Sequence, residues 1–165
     1  MSKSLLRSLA LAGIGALSLT ACSDDDESGI APAPAIVPTN TSVTPALVKG
    51  LPAGVQAWSI FSSDDSLPGS ARFGGSADGA GLLRNADGTF TLLTNHEDNF
   101  AVSQLQLGRD FKPTRLDYVL SSAAGRWRLC SATLATPEIH GFGPLYLTVG
   151  ESGIESQIHG VVPNG

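Results

Sequence analysis

One stretch, Gly81–Glu97, constrains the fold more than any other because it carries its own turn chemistry: GLLRNADGTFTLLTNHE. Leu82-Leu83-Arg84 and Thr89–Thr94 are short runs rich in Leu, Thr and Phe, separated by Asn85-Ala86-Asp87-Gly88. That spacer supplies residues tolerant of positive φ, so the pattern predicts a β-hairpin. In the second run Phe90, Leu92 and Leu93 give apolar surface, and the threonines suit a pleated, half-buried strand better than a helix. Asn95, His96, Glu97 and Asp98 fall at its exit, bringing two carboxylates, an imidazole and an amide oxygen. Such a cluster is either handed to a site by a rigid sheet or is an ordinary solvated loop.

The remaining apolar runs are equally short. Val55–Phe61, Val102–Leu107, Arg115–Leu120, Arg126–Leu134, Leu145–Val149 and Gln157–Val162 are separated by Gly, Asp or Pro, and no helix-length periodic run competes with them. This spacing predicts an antiparallel all-β protein, with further turns at Phe111-Lys112-Pro113 and Ala124-Gly125. Arg72, Gly74, Gly75 and Gly79 read as a plain loop, because no helix follows to offer a phosphate its N-terminus.

The start of the chain is an export signal. Lys3 and Arg7 precede an apolar core, Leu9–Leu19, that is short for a membrane span. Residues 1–21 end in Leu19-Thr20-Ala21, and the following Cys22 completes a stretch that resembles the lipobox of bacterial lipoproteins. An ordinary secretory signal cut nearby is the alternative. The lipobox implies a lipidated Cys22, a membrane anchor, and a periplasmic or cell-surface location. Residues 22–45, with Asp24-Asp25-Asp26-Glu27 and then Pro32, Pro34, Pro38 and Pro45, have the composition of a disordered tether, leaving 46–165 as the folded part.

Loss of Lys3 and Arg7 with the signal leaves eight basic residues against fifteen acidic ones, four of the acids in the tether. No basic footprint for nucleic acid results. With Cys22 lipidated, Cys130 is the remaining thiol and no internal disulfide forms; on a strand it would face the core with Ala132 and Leu134, or serve as a ligand.

The segment ending Thr94-Asn95-His96-Glu97 is similar to the strand-Asn-His-Glu segment of PhoX-like alkaline phosphatases, calcium-dependent secreted proteins with a β-propeller fold. Cys130-Ser131-Ala132 and the strand Leu145–Val149 leading to Gly150-Glu151-Ser152-Gly153 resemble two further family segments in the same order. At the end of that strand the phosphatases carry a Cys-Glu-Glu run whose Cys ligates iron, and Val149-Gly150-Glu151 stands here instead, so the iron ligand is unmatched. The resemblance implies partial propeller-like antiparallel sheets, with Ca2+ held by Glu97, Glu151, Asp98 and Glu155 and with Asn95 and His96 beside it. A propeller needs at least four blades of about 40 residues, so the roughly 120 residues after the tether are expected to be the N-terminal blades of a longer protein.

Two functions are then open. One is a membrane-anchored, metal-dependent hydrolase of small phosphoesters, its metal neutralising charge on the phosphoryl oxygens. The other is a non-catalytic calcium-binding or scaffold propeller lipoprotein; a small complete β-sandwich is a third arrangement. Both propeller readings expect Glu97 and Glu151, each at the end of a strand-like run, to approach one another.

Overall fold

A computed structural model describes residues 35–123, 128–151, 153 and 156–164; the expected signal, Cys22, the turn at Ala124-Gly125 and Glu155 lie outside them. The fold is nearly all β, as the spacing predicts, in two antiparallel sheets. Strands β1 (Ala77–Arg84), β2 (Phe90–His96), β3 (Ala101–Leu107) and β4 (Pro113–Leu120) form a meander in the order β1-β2-β3-β4. Strands β5 (Leu129–Ala135), β6 (Leu145–Gly150) and β7 (Ile158–Val161) form the second sheet, with the single-turn helix α1 (Pro137–His140) between β5 and β6. These open sheets define an all-β architecture.

The predicted hairpin is present. Gly88, at φ 83°, donates to the Asn85 carbonyl at 2.9 Å, and Asn85 donates to Thr89 at 2.8 Å, so the spacer closes the turn that joins β1 to β2. The second predicted turn closes where Gly108 donates to the Lys112 carbonyl at 2.8 Å and Phe111 takes φ 63°.

Alternation along β2 divides the first sheet into two apolar faces. Leu93 and Val102 meet Leu129 and Tyr146 of the second sheet, and all four side chains are buried. On the opposite face, Phe90, Leu105, Leu107 and Leu116 are covered by Ile60, Phe61, Leu67, Phe73 and Phe111, and the Phe90 and Phe111 rings stack at 4.4 Å. Each fully buried large side chain contributes about 1.5–3 kcal/mol. The first sheet is therefore the middle layer, between the second sheet and the chain before β1.

That covering chain departs from expectation. Val55–Phe61 is not a strand: Ser59 donates from its backbone to the Asn40 side chain at 2.8 Å, and Thr41 donates back to the Ser59 carbonyl at 2.9 Å. Its apolar residues pack as a cover over a sheet face, which satisfies the hydrophobic pattern without strand pairing. The end of the expected tether also joins the fold. Buried Asp65 accepts hydrogen bonds from the Ser42 hydroxyl at 2.5 Å, the Val43 backbone at 2.8 Å and the Ser62 backbone at 2.7 Å.

Gly79 and Gly81, one of them read as loop from sequence, lie in β1. A Cβ on Gly79 would stand 2.4 Å from the Cys130 carbonyl oxygen and 2.6 Å from the Ala132 nitrogen. One on Gly81 would meet Leu134 at 2.8 Å. β1 thus crosses β5 at backbone distance, and only glycine permits it. Gly79→Ala is expected to lower stability by about 1–3 kcal/mol, whereas Gly160→Ala, whose nearest neighbour would be Leu145 at 3.4 Å, should be nearly neutral. Urea midpoints measure both, and equal losses would contradict the close-approach account.

Asp65 supplies a pH test. Burial pushes its carboxyl up, but the hydrogen bonds from Ser42, Val43 and Ser62 outweigh that and hold it below the ordinary aspartate value. The folded group therefore titrates lower than the unfolded one, so its stabilisation is complete above the ordinary value and is lost as pH falls through the folded value. The urea-midpoint gap between wild type and Asp65→Asn should be constant near neutrality and close below about pH 4.

Candidate functional site at the junction of the two sheets

Two β-bulges face each other where the sheets meet. The β1–β2 register shifts between Ala77 and Ala80, and the β5–β6 register shifts between Leu129 and Ala132. A bulge bends its strand and re-aims its side chains. Asp78 comes from the first bulge, Cys130 from the second, and Glu97 follows the last residue of β2. One ligand-type atom from each of these three lies within 4.8 Å of the others.

Glu97 and Glu151 each lie beside the same protein cation. Arg128 forms an ion pair with Glu97 and lies with Nε 3.7 Å from Glu151 Oε1. The Glu151 backbone donates to the Arg128 carbonyl at 2.9 Å, which holds the two residues side by side. The Arg128 side chain is half exposed, so solvent screens these pairs and they add little stability. Asp98 is exposed and accepts from the Ser76 hydroxyl at 2.8 Å. Glu155 lies outside the described residues.

Asn95 and His96 belong to the packing. β2 runs on through His96, so alternation turns these two side chains to opposite faces, both fully buried. Asn95 donates to the Cys130 carbonyl at 2.8 Å and accepts from the Thr148 hydroxyl at 2.9 Å. The Tyr146 hydroxyl stands 2.9 Å from Asn95 Oδ1 and 2.7 Å from the Gly79 carbonyl. One amide thus ties three strands together, and burial pushes the Tyr146 hydroxyl far up from its ordinary value. On the other face His96 Nε2 lies 2.7 Å from the Ser103 hydroxyl, and the imidazole meets Phe73 edge to face at 4.6 Å. Burial lowers its pKa. The Gly74 and Gly75 backbone approaches closely enough to oppose that shift, without the alignment of a hydrogen bond to Nδ1. His96 is therefore a neutral core histidine at physiological pH.

Cys130 is half-buried rather than a core thiol. Its hydrogen bond to Asp78, together with burial, pushes the thiol up to about 11, against an opposing bond from Ser131. Sequence reading missed Asp78 because nothing in Ala77-Asp78-Gly79 announces a bulge except the glycine itself. The chain matches no protein-family model, no curated protein and no solved structure.

With its thiol pushed up, Cys130 is held protonated at pH 8, so alkylation by iodoacetamide should be slow. Asp78→Asn removes the negative charge that holds the proton and leaves a weaker amide acceptor. It should speed alkylation severalfold under native conditions, and an unchanged rate would show that the Asp78 contact does not control the thiol.

Proposed function

We propose that this chain is an exported cell-envelope lipoprotein, anchored through Cys22, with PhoX-like propeller blades and a divalent-cation site at Asp78, Glu97 and Cys130. The observation that carries the reading is the convergence of three ligand-type side chains, two from separate strands and one from the turn after a third, on one junction between sheets. The four-stranded meander packed face to face on a second antiparallel sheet supports the propeller arrangement. Calcium, which the resemblance implies, takes six to eight oxygens. Two carboxylates and a thiol fit it poorly; a mixed oxygen and sulfur donor set suits a borderline ion such as zinc or ferrous iron better. Cys130 then supplies the sulfur that the resemblance places at the end of β6.

A metal here would displace the thiol proton and compete with Arg128 for Glu97. Phosphoester hydrolysis is the second reading, and Arg128 favours it. A guanidinium beside ligand carboxylates is placed to bind phosphoryl oxygens bidentately.

Calorimetry with Zn2+ and with Ca2+ tests the site. Zinc should bind the wild-type chain more tightly than calcium, and Glu97→Gln or Cys130→Ser should each weaken it tenfold or more, about 1.4 kcal/mol. Failure of both ions to bind would sink the cation reading. Zinc binding without turnover of p-nitrophenyl phosphate would retain the site and select the scaffold over the hydrolase.

A further inference from the structure

The segment 36–55 shows an inverted pattern of burial. Ser42 and Thr44 turn inward, Ser42 to Asp65 and Thr44 to the Ser62 hydroxyl at 3.0 Å, while Val43 between them is 75% exposed. Val37 is 69% exposed, Leu47 80% and Val48 56%. Leu47 and Val48 stand at the rim of an apolar groove of about 450 Å³, floored by Phe73, Leu92 and Leu105 and flanked by half-buried Trp58. Polar groups inward and aliphatic groups outward is an arrangement that water disfavours and an apolar medium relieves. The Asp65 bonds fix this display before any partner arrives, which reduces the ordering cost of docking.

We propose that this arm is a membrane-contact surface, with the aliphatic side chains and the groove seated on a lipid bilayer. Two features select lipid over a protein partner. Lys49 is the sole charged residue among 36–55 in an otherwise acidic chain, so the arm's own sequence offers an anionic headgroup layer a cation, with the nearby exposed carboxylate of Asp64 held by the Thr44 hydroxyl at 3.0 Å. Fourteen positions separate Ile36 from Cys22, a span of at most about 50 Å when fully extended, so an anchor at Cys22 holds the arm close to the bilayer at high effective concentration. Among the described residues no helix is long and apolar enough to cross a membrane. The choice of partner rests on the lipoprotein reading for that tether; the display of apolar side chains does not.

Trp58 offers a local reporter. The full chain carrying Trp127→Phe is reconstituted into vesicles of phosphatidylcholine with a minor share of phosphatidylglycerol, with plain or brominated acyl chains. Trp58 fluorescence should be about twofold lower in the brominated vesicles. It should remain so in about 0.5 M salt, where screening leaves apolar contact intact. Replacing Val43, Leu47 and Val48 by Ser should abolish the quenching while the protein still sediments with vesicles. Should Trp127→Phe fail to fold, wild type and the triple-serine variant, both keeping Trp127, give the same comparison. Equal Trp58 fluorescence in plain and brominated vesicles, with the protein sedimenting, overturns the proposal, including in favour of a protein partner. Incorporation of labelled palmitate into wild type but not Cys22→Ser tests the anchor separately, so loss of arm contact and loss of the anchor are told apart.

Discussion

The contact of β1 with β5 is the constraint on which the rest depends. Gly79 brings the two backbones so close that a Cβ would overlap the Cys130 carbonyl oxygen. At that approach Asn95 reaches from β2 to the same carbonyl and to Thr148, and Tyr146 reaches from β6 to the Gly79 carbonyl. Every one of these groups is polar and buried or nearly so, and leaving one unpaired costs about 1–3 kcal/mol. The junction is therefore all or nothing: the glycine permits the approach, the approach permits the hydrogen bonds, and the bonds fix the register of the two bulges. The bulges in turn place Asp78 and Cys130. A structural requirement at one glycine thus sets the geometry of the only three ligand-type side chains found clustered among the described residues.

The parts legible from sequence are those whose physics is local. The Asn85–Gly88 turn could be read because positive φ and side-chain turn chemistry are properties of a few adjacent residues. The strands at 102–107 and 115–120 could be read from short apolar runs between turn residues. What was misread depends on distant partners. Val55–Phe61 has a strand's composition but finds its apolar partners on a sheet face already paired to its neighbours. Asn95 and His96 look like a site from composition, yet two more residues of ladder turn them into opposite interiors. Glu97, one position later, escapes the ladder and reaches the junction. A shift of one residue separates core from site, because side-chain direction in a strand alternates with every residue.

Arg128 changes the meaning of the converging carboxylates. Two acids held together without a cation would repel, and one would take up a proton. Here the guanidinium meets Glu97 directly and lies near Glu151, so the acids are charge-compensated by the chain itself. A metal ion at Glu97 must then outcompete a tethered arginine as well as water. An exposed ion pair of this kind is worth little, so the competition lowers apparent metal affinity modestly and leaves the site exchangeable.

The cover formed by the chain before β1 joins these features to the outside of the molecule. Its inner side closes the apolar face of the middle sheet with Phe61 and Phe73, whose rings meet edge to face at 5.8 Å. Its outer side displays aliphatic groups. The same backbone does both because Asp65 holds the Ser42 hydroxyl and the Val43 backbone while the Thr44 hydroxyl meets Ser62, and at this bend the Val43 side chain is left pointing out. Sequence composition alone reads this stretch as tether, since Ser, Thr and Pro dominate it; the inward carboxylate that organises them lies more than twenty residues away. Burying Asp65 is favourable only while its hydrogen-bond donors stay in place. The polar clasp and the apolar display are thus a single arrangement, and loosening the first would dissolve the second.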